Sequence, residues 1–254
     1  MLSDGQKKEF ADLGYIILRG FYSGSDIARV TSWLEKMLAL EPAPGREAKY
    51  YETSDLTDEP LLMRVENIFD DNNTEMRDLV LNADMKQVLY DLLGEPPVVF
   101  KDKANFKLPG SRPDLLHQDQ AAGWGTYADY FITAMVAVDE NTLENAPLSI
   151  MNSGNYERGL MTEEWQLLSQ DEPPFQPEDE YTVFEAKPGD VLLFDCFIPH
   201  GSPANTSDKT RRNLYLTFNR ASAGDHRARY YADKWKNYPP NSAAEARSSD
   251  SFRV

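Results

Sequence analysis

The chain has 254 residues, and 42 acidic against 26 basic side chains give it a formal net charge of −16 at pH 7. So acidic a chain argues against a nucleic-acid partner and against an anionic membrane surface, because both require a basic face. No apolar run approaches the roughly 18 residues that a membrane-spanning helix needs. The single cysteine, Cys196, excludes an internal disulfide and a Cys-rich metal site.

Residues 1–10 are polar and lack the apolar core of a signal peptide, so we expect a cytoplasmic protein. We expect its partner to be a small molecule, which a basic pocket could bind even when it is anionic. The oligomeric state does not follow from the sequence.

The first third of the chain is predicted to be mostly helical. Residues 5–14 and 75–93 have helical spacing of apolar residues. Residues 27–40 place an apolar stripe on one face, with Ser25 or Asp26 as the N-cap. Residues 15–18 form a short apolar run that predicts a strand.

From Pro97 onward, short β-rich runs separated by turn signals replace the helical pattern. They cover residues 98–100, 130–138, 181–184, 191–194 and 214–218. Strands that follow helices predict an α+β chain, mainly β, with a sandwich or barrel core. We interpret residues 1–254 as a single domain and the Ser- and Arg-rich residues 241–254 as a disordered tail or a lid.

Two of the three histidines occur in motifs that favour a metal site. His117 and Asp119 are two residues apart, so on a strand their side chains lie on one face. Two imidazoles and one carboxylate are ligands that iron(II) accepts while keeping open positions. By itself the motif also fits an ion pair on a surface strand.

The second motif is a Pro-Gly-Asp turn at residues 188–190 that leads through an apolar strand to His200. Arg211 and Arg212 follow eleven and twelve residues later, before the next strand. A neighbouring antiparallel strand can bring one arginine close to His200. Arginine binds carboxylates through two parallel hydrogen bonds, so this position suits an acidic cosubstrate.

Together these motifs resemble the phytanoyl-CoA dioxygenase family of iron(II)- and 2-oxoglutarate-dependent dioxygenases. The resemblance covers most of the chain and includes residues 10–21 and Asn205. It implies a double-stranded β-helix, a cupin-like jelly roll, with the N-terminal helices packed on one side. It also implies a set of site residues: iron(II) on His117, Asp119 and His200, and 2-oxoglutarate on Arg211 with Ser202, Thr133 and Asn105.

The resemblance also implies the type of reaction. Related halogenases have a small residue where this chain has Asp119, so oxidation by dioxygen, most simply hydroxylation, is favoured over halogenation. Succinate and CO2 would be released. The eleven-residue offset from His200 favours Arg211 over Arg212 as the arginine that binds 2-oxoglutarate, since neighbouring residues on a strand face opposite ways.

The substrate is predicted less directly. Residues 214–225 resemble members of the family that act on small polar compounds, such as aminophosphonates, and the positions near the metal motif resemble ectoine hydroxylases. We therefore expect a small polar or zwitterionic metabolite, such as an aminophosphonate or an amino-acid derivative. The candidate substrate-binding residues are Arg64, Asn67, Lys103, Gln120, Trp124 and Tyr130.

Three alternatives stay open at this point. The same chemistry could act on a lipophilic natural product or an acyl substrate. The chain could be a non-catalytic module that binds the metal and 2-oxoglutarate. It could also be a cupin-like metalloenzyme that does not use 2-oxoglutarate, which would leave Arg211 and Ser202 unexplained.

Overall fold

The structure is a computed structural model, and it describes residues 1–41, 47–54, 56–69, 74–152, 158–162, 166–173 and 181–241. Its helices are α1 (Asp4–Leu13), α2 (Gly24–Leu38), α3 (Thr74–Val80), α4 (Ala83–Leu93) and α5 (Arg227–Asn237). Its strands are β1 (Tyr15–Leu18), β2 (Ala48–Thr53), β3 (Pro60–Glu66), β4 (Pro97–Lys107), β5 (Asp114–His117), β6 (Ile132–Ala137), β7 (Leu148–Met151), β8 (Tyr181–Phe184), β9 (Val191–Asp195), β10 (His200–Ser202) and β11 (Arg211–Arg220).

The strands form two antiparallel sheets, so the described part of the chain is mainly β. The larger sheet has the order β1-β9-β6-β11-β4-β3-β2, and the smaller has the order β5-β10-β7-β8. The inner faces of the two sheets share one apolar cluster, to which the larger sheet contributes Met135 and Phe194 and the smaller sheet Leu148 and Ile150. The core therefore lies between two facing sheets.

The N-terminal helices cover the other face of the larger sheet. Leu214 and Leu216, which alternate with the inward residues of β11, pack in one cluster with Val30 and Leu34 of α2. Alternation along a strand sends successive side chains to opposite faces, so one strand serves both layers. The expected packing of helices on one side is confirmed.

Two helical predictions need correction. Ser23, rather than Ser25 or Asp26, is the N-cap of α2, because its hydroxyl accepts from the Asp26 amide while the Asp26 carboxylate accepts from the Ser23 amide. The single helix predicted over residues 75–93 is two helices. The first helix, α3, ends at Val80, and the Asn82 side chain caps α4 by accepting a hydrogen bond from the amide of Met85.

The first third of the chain is also less helical than predicted. β2 and β3 form the far edge of the larger sheet, where half-exposed side chains give no clear alternation of apolar and polar residues. β11 begins at Arg211, three residues before the predicted run over residues 214–218. Residues 242–254, which include most of the expected tail, lie outside the described residues. Among the described helices, none has the length and apolar character needed to cross a membrane.

Candidate active site

Three side chains predicted as metal ligands converge at one end of the smaller sheet. His200 pairs directly with His117, because β10 and β5 are antiparallel neighbours. His117, His200 and Asp119 each offer one ligand atom, and these three atoms lie within 4.8 Å of one another. β5 ends at His117, and Asp119 begins a short 3₁₀ turn over Asp119–Ala122. The assumption that His117 and Asp119 lie on one strand was therefore wrong, although their side chains lie close together.

Hydrogen bonds fix both imidazole rings. Nδ1 of His117 lies 2.7 Å from the carbonyl oxygen of Leu115, and Nδ1 of His200 lies 3.0 Å from that of Ile198. A backbone acceptor at Nδ1 leaves Nε2 as the ligand atom, an arrangement common in metal sites. Burial, together with His117, lowers the pKa of His200 to about 4, so its imidazole is neutral at pH 7.

The carboxylate of Asp119 complements these rings. Its Oδ2 lies 4.0 Å from Nε2 of His200. Burial alone would raise its pKa, but His200 and Lys103 outweigh burial and lower the pKa of Asp119. Two imidazoles and an ionised carboxylate are the donor set that a non-haem iron(II) site uses, so the residues present fit that metal.

The cavity beside these ligands has two lobes, which share Arg64, Lys103, His117 and Asp119. The inner lobe extends between the sheets, has a volume of about 150 Å³ and is lined further by Asn105, Lys107, Asp114, His200 and Tyr215. The basic lobe extends towards α5, has a volume of about 220 Å³ and is lined further by Glu66, Lys101, Arg112, Trp124, Tyr230 and Lys234. Such small volumes suit compact ligands.

β4 supplies the polar wall shared by both lobes. Lys101, Lys103 and Asn105 alternate with Ala104 and Phe106, which face the helices. This period of two is visible in the sequence and could have identified Lys101, which was not predicted. Glu66 and Lys234 were not predicted either, because no local pattern marks either residue.

Arg211 lies on the inner face of the larger sheet, opposite Lys107 of β4, and is 2 % exposed. Among the described residues, neither its Nε nor the buried Oδ1 of Asn105 has a hydrogen-bond partner. β11 pairs with β4 and β6, whereas β10 belongs to the other sheet. The expectation that a neighbouring strand brings Arg211 to His200 is thus wrong, because the two residues belong to facing sheets.

The two hydroxyl side chains expected beside Arg211 differ in their surroundings. Ser202 donates to Oδ2 of Asp114 at 3.1 Å, and the same oxygen lies 3.1 Å from Nζ of Lys107. Thr133 instead pairs with Thr217, and their hydroxyls are 3.0 Å apart. Thr217 is six residues along β11 from Arg211, about 20 Å at 3.3 Å per residue. The expected place of Thr133 beside Arg211 therefore needs correction.

The candidate substrate residues divide into those that line the cavity and those that do not. Arg64, Lys103 and Trp124 line the basic lobe. Gln120 is buried, and its Nε2 lies 3.3 Å from the carbonyl oxygen of Ala128. Its Oε1 has no partner, but the residue lines neither lobe.

The structure places two further candidates away from both lobes. Asn67 accepts a hydrogen bond from Arg227 at 2.7 Å, which ties it to the start of α5. The guanidinium of Arg220 lies over the ring of Tyr130, with its Cζ atom 5.2 Å from the ring centroid. Burial raises the pKa of Tyr130. Both residues make structural contacts, and neither lies where a substrate in the two lobes would reach it.

The cations of the basic lobe fall into two groups. Lys234 and Arg64 both bind Glu66, at 2.6 Å in each case, and Arg112 binds Glu52 at 3.0 Å. The ammonium groups of Lys101 and Lys103 have no ion pair with any described carboxylate. Burial, with help from Lys101, lowers the pKa of Lys103 to about 8.

Comparison with known proteins agrees with this geometry. The model of the family described as phytanoyl-CoA dioxygenase matches residues 10–213. A 2-aminoethylphosphonate dioxygenase of an uncultured bacterium is 35% identical over 235 residues, which are 92% of this chain and 88% of that protein. A methylphosphonate hydroxylase of Gimesia maris is 30% identical, over 93% of this chain and 88% of its own.

A solved structure shows the same fold at lower identity. EctD from S. alaskensis, crystallised with 2-oxoglutarate and 5-hydroxyectoine, superposes with a TM-score of 0.68 and 22% identity over 87% of this chain and 77% of its own. The family match spans most of the chain and includes both metal motifs. The chain therefore belongs to the phytanoyl-CoA dioxygenase family and is an iron(II)- and 2-oxoglutarate-dependent dioxygenase.

Proposed function

We propose that this dioxygenase hydroxylates a small phosphonate, or an oxyanion of similar size, and releases succinate and CO2. The observation that carries the proposal is the charge of the basic lobe. In a chain with a net charge of −16, five cationic side chains line this lobe: Arg64, Lys101, Lys103, Arg112 and Lys234. Buried cations bind an oxyanion through charge-assisted hydrogen bonds, which are stronger than neutral ones.

Lys101 and Lys103 are the residues we assign to the anion. They have the same orientation on β4, and the other cations of the lobe are bound to Glu66 or Glu52. A bound phosphonate would give these two ammonium groups the direct ion-pair partner that they lack among the described residues. The names of the two relatives, which both refer to phosphonates, support this assignment.

We assign iron(II) to His117, Asp119 and His200, and 2-oxoglutarate to Arg211 with Asn105 and Ser202. The unpartnered Nε of Arg211 supports this, because a buried donor without a partner among the described residues costs free energy that a carboxylate of the ligand can recover. Bound iron and 2-oxoglutarate supply the activation of dioxygen. The protein holds 2-oxoglutarate and the phosphonate, and it orients the phosphonate between the metal and β4.

The two facing antiparallel sheets support the assignment of the core to a double-stranded β-helix. The lipophilic alternative requires a mainly apolar wall, which the charged residues of the basic lobe do not provide. The complete set of metal donors argues against a non-catalytic module.

The test is a turnover assay with Fe(II), 2-oxoglutarate and a panel of methyl-, ethyl- and propylphosphonate, with NMR detection of succinate and of the hydroxylated product. We expect at least one phosphonate to stimulate succinate release and to be hydroxylated. Lys103→Met should raise the KM for that phosphonate by 10- to 1,000-fold and leave the KM for 2-oxoglutarate unchanged. Lys209→Met is the matched control, since Lys209 is exposed and paired with Glu144. Succinate release that no phosphonate stimulates would contradict the proposal.

A further inference from the structure

The basic lobe also limits what the far end of a substrate can carry. Of the described residues, two carboxylates line it, Glu66 and Asp119. Asp119 belongs to the metal donor set. Glu66 accepts from Lys234 at 2.7 and 2.6 Å through its two oxygens, and from Nε of Arg64 at 2.6 Å. Neither carboxylate is left to bind an ammonium group of a substrate.

Aromatic rings are the other common partners of an ammonium group, through cation–π contacts. Of the rings that line this lobe, Trp124 and Tyr230 already receive such contacts from the protein's own lysines. Nζ of Lys101 lies 5.3 Å from the ring centroid of Trp124 and 5.7 Å from that of Tyr230. Nζ of Lys234 lies 5.1 Å from the centroid of Tyr50 and 5.9 Å from that of Tyr230. A substrate ammonium would enter beside these cations and would be repelled by them.

We propose, on the basis of the proposed function, that the basic lobe selects phosphonates that carry no ammonium group. A substrate with an apolar or a second acidic end is favoured over a zwitterionic aminophosphonate. The selection is by repulsion as much as by attraction, because the wrong substrate brings an unpaired charge among like charges. In this respect the chain differs from the relative named 2-aminoethylphosphonate dioxygenase, with which it shares 35% identity.

Three ligands of nearly equal size test this selection. Propylphosphonate, 2-aminoethylphosphonate and 3-phosphonopropionate place a methyl, an ammonium and a carboxylate group at similar distances from phosphorus. We expect the anaerobic iron–2-oxoglutarate complex to bind the first and third at least tenfold more tightly than the second, as measured by isothermal titration calorimetry. The kcat/KM for succinate release in air should give the same order.

A variant locates the source of the selection. Lys101→Gln removes one of the repelling cations, so the preference for propylphosphonate over 2-aminoethylphosphonate should narrow by at least threefold. Lys36→Gln changes an exposed lysine of α2 and should leave the preference unchanged. The Lys36→Gln control separates a local effect of Lys101 on the preference from an effect of the net charge.

The two proposals fail in different ways. If none of the three phosphonates binds the iron–2-oxoglutarate complex, the proposed function is wrong and this inference falls with it. If they bind and 2-aminoethylphosphonate binds as tightly as propylphosphonate or more tightly, only the inference is overturned. An unchanged preference in Lys101→Gln would also overturn it, because the repulsion would then not come from the basic lobe.

Discussion

Arg211 and Arg212 are neighbours on β11 and have opposite environments. Arg212 donates from Nε and Nη2 to the two carboxylate oxygens of Asp139, at 2.8 Å each. Arg211 lies on the inner face, is 2 % exposed and has an Nε without a hydrogen-bond partner. Strand geometry alone separates them, since adjacent side chains point to opposite faces of a sheet.

The first prediction compares these two arginines. Arg211→Ala should raise the KM for 2-oxoglutarate by at least tens of fold, because losing one partner of a buried charge pair costs about 2–5 kcal/mol. Arg212→Ala should leave this KM within about twofold and affect only stability, since its guanidinium is bound to Asp139. Steady-state kinetics with varied 2-oxoglutarate would measure both. A larger effect of Arg212→Ala would show that the register of β11 is wrong.

The second prediction concerns the metal. His200→Ala should reduce bound iron(II) to a small fraction of the wild-type amount after anaerobic loading and desalting, because it removes one of the three proposed protein ligands. His226→Ala is the control, since that imidazole bonds to the carbonyl oxygen of Ala223 outside the metal donor set. Iron content and circular dichroism would be measured together. Full iron content in a folded His200→Ala protein would contradict the assignment.

The sequence predicted that His117, Asp119 and His200 lie together because the signal is local. His117 and Asp119 are two residues apart, and His200 follows a recognisable turn and strand. The prediction of Thr133 failed for a different reason. Its place depends on the register between β6 and β11, and a shift of two residues keeps the same face while moving the side chain along the strand.

The basic lobe was only partly predictable. The alternation of lysines on β4 is present in the sequence, so Lys101 could have been inferred with Lys103. The partner of Glu66 is 168 residues away on α5, and only the packing of that helix brings the two together. The edge strand β2 and its neighbour β3 escaped prediction because both expose much of their length and lose the alternating pattern.

The third prediction concerns the turn before β9. Asp190 accepts from Nη1 of Arg19 at 2.8 Å, from the amide of Gly20 at 2.7 Å and from the amide of Lys187 at 3.0 Å. Burial opposes ionisation, yet these donors outweigh it and lower the pKa of Asp190. Asp190→Ala should cost about 2–3 kcal/mol of the free energy of unfolding at pH 7, because charged hydrogen bonds are lost and donors are left without partners.

The pH dependence of this effect follows from the sign of the shift. A carboxyl group with a lowered pKa in the folded state stabilises the protein above its unfolded pKa, about 4, and loses that contribution as the pH falls. The difference in unfolding free energy between wild type and Asp190→Ala should therefore shrink below about pH 4. Urea titrations at several pH values would measure it, with the exposed Asp208→Ala as a control. A difference that stays constant down to pH 3 would contradict the argument.

The last prediction concerns the ion pair that joins β3 to α5. Nζ of Lys234 donates to both oxygens of Glu66, and the two side chains are 4% and 1% exposed. Lys234→Met should destabilise the protein by about 2–3 kcal/mol, because it removes two charge-assisted hydrogen bonds to the buried Glu66, which keeps only the one from Arg64. Glu66→Gln leaves both cations without their carboxylate, so the double variant should lose less free energy of unfolding than the sum of the two single variants. Urea unfolding of both single variants and the double variant would measure the coupling. Additive effects would show that the two side chains contribute to stability independently, despite their contact.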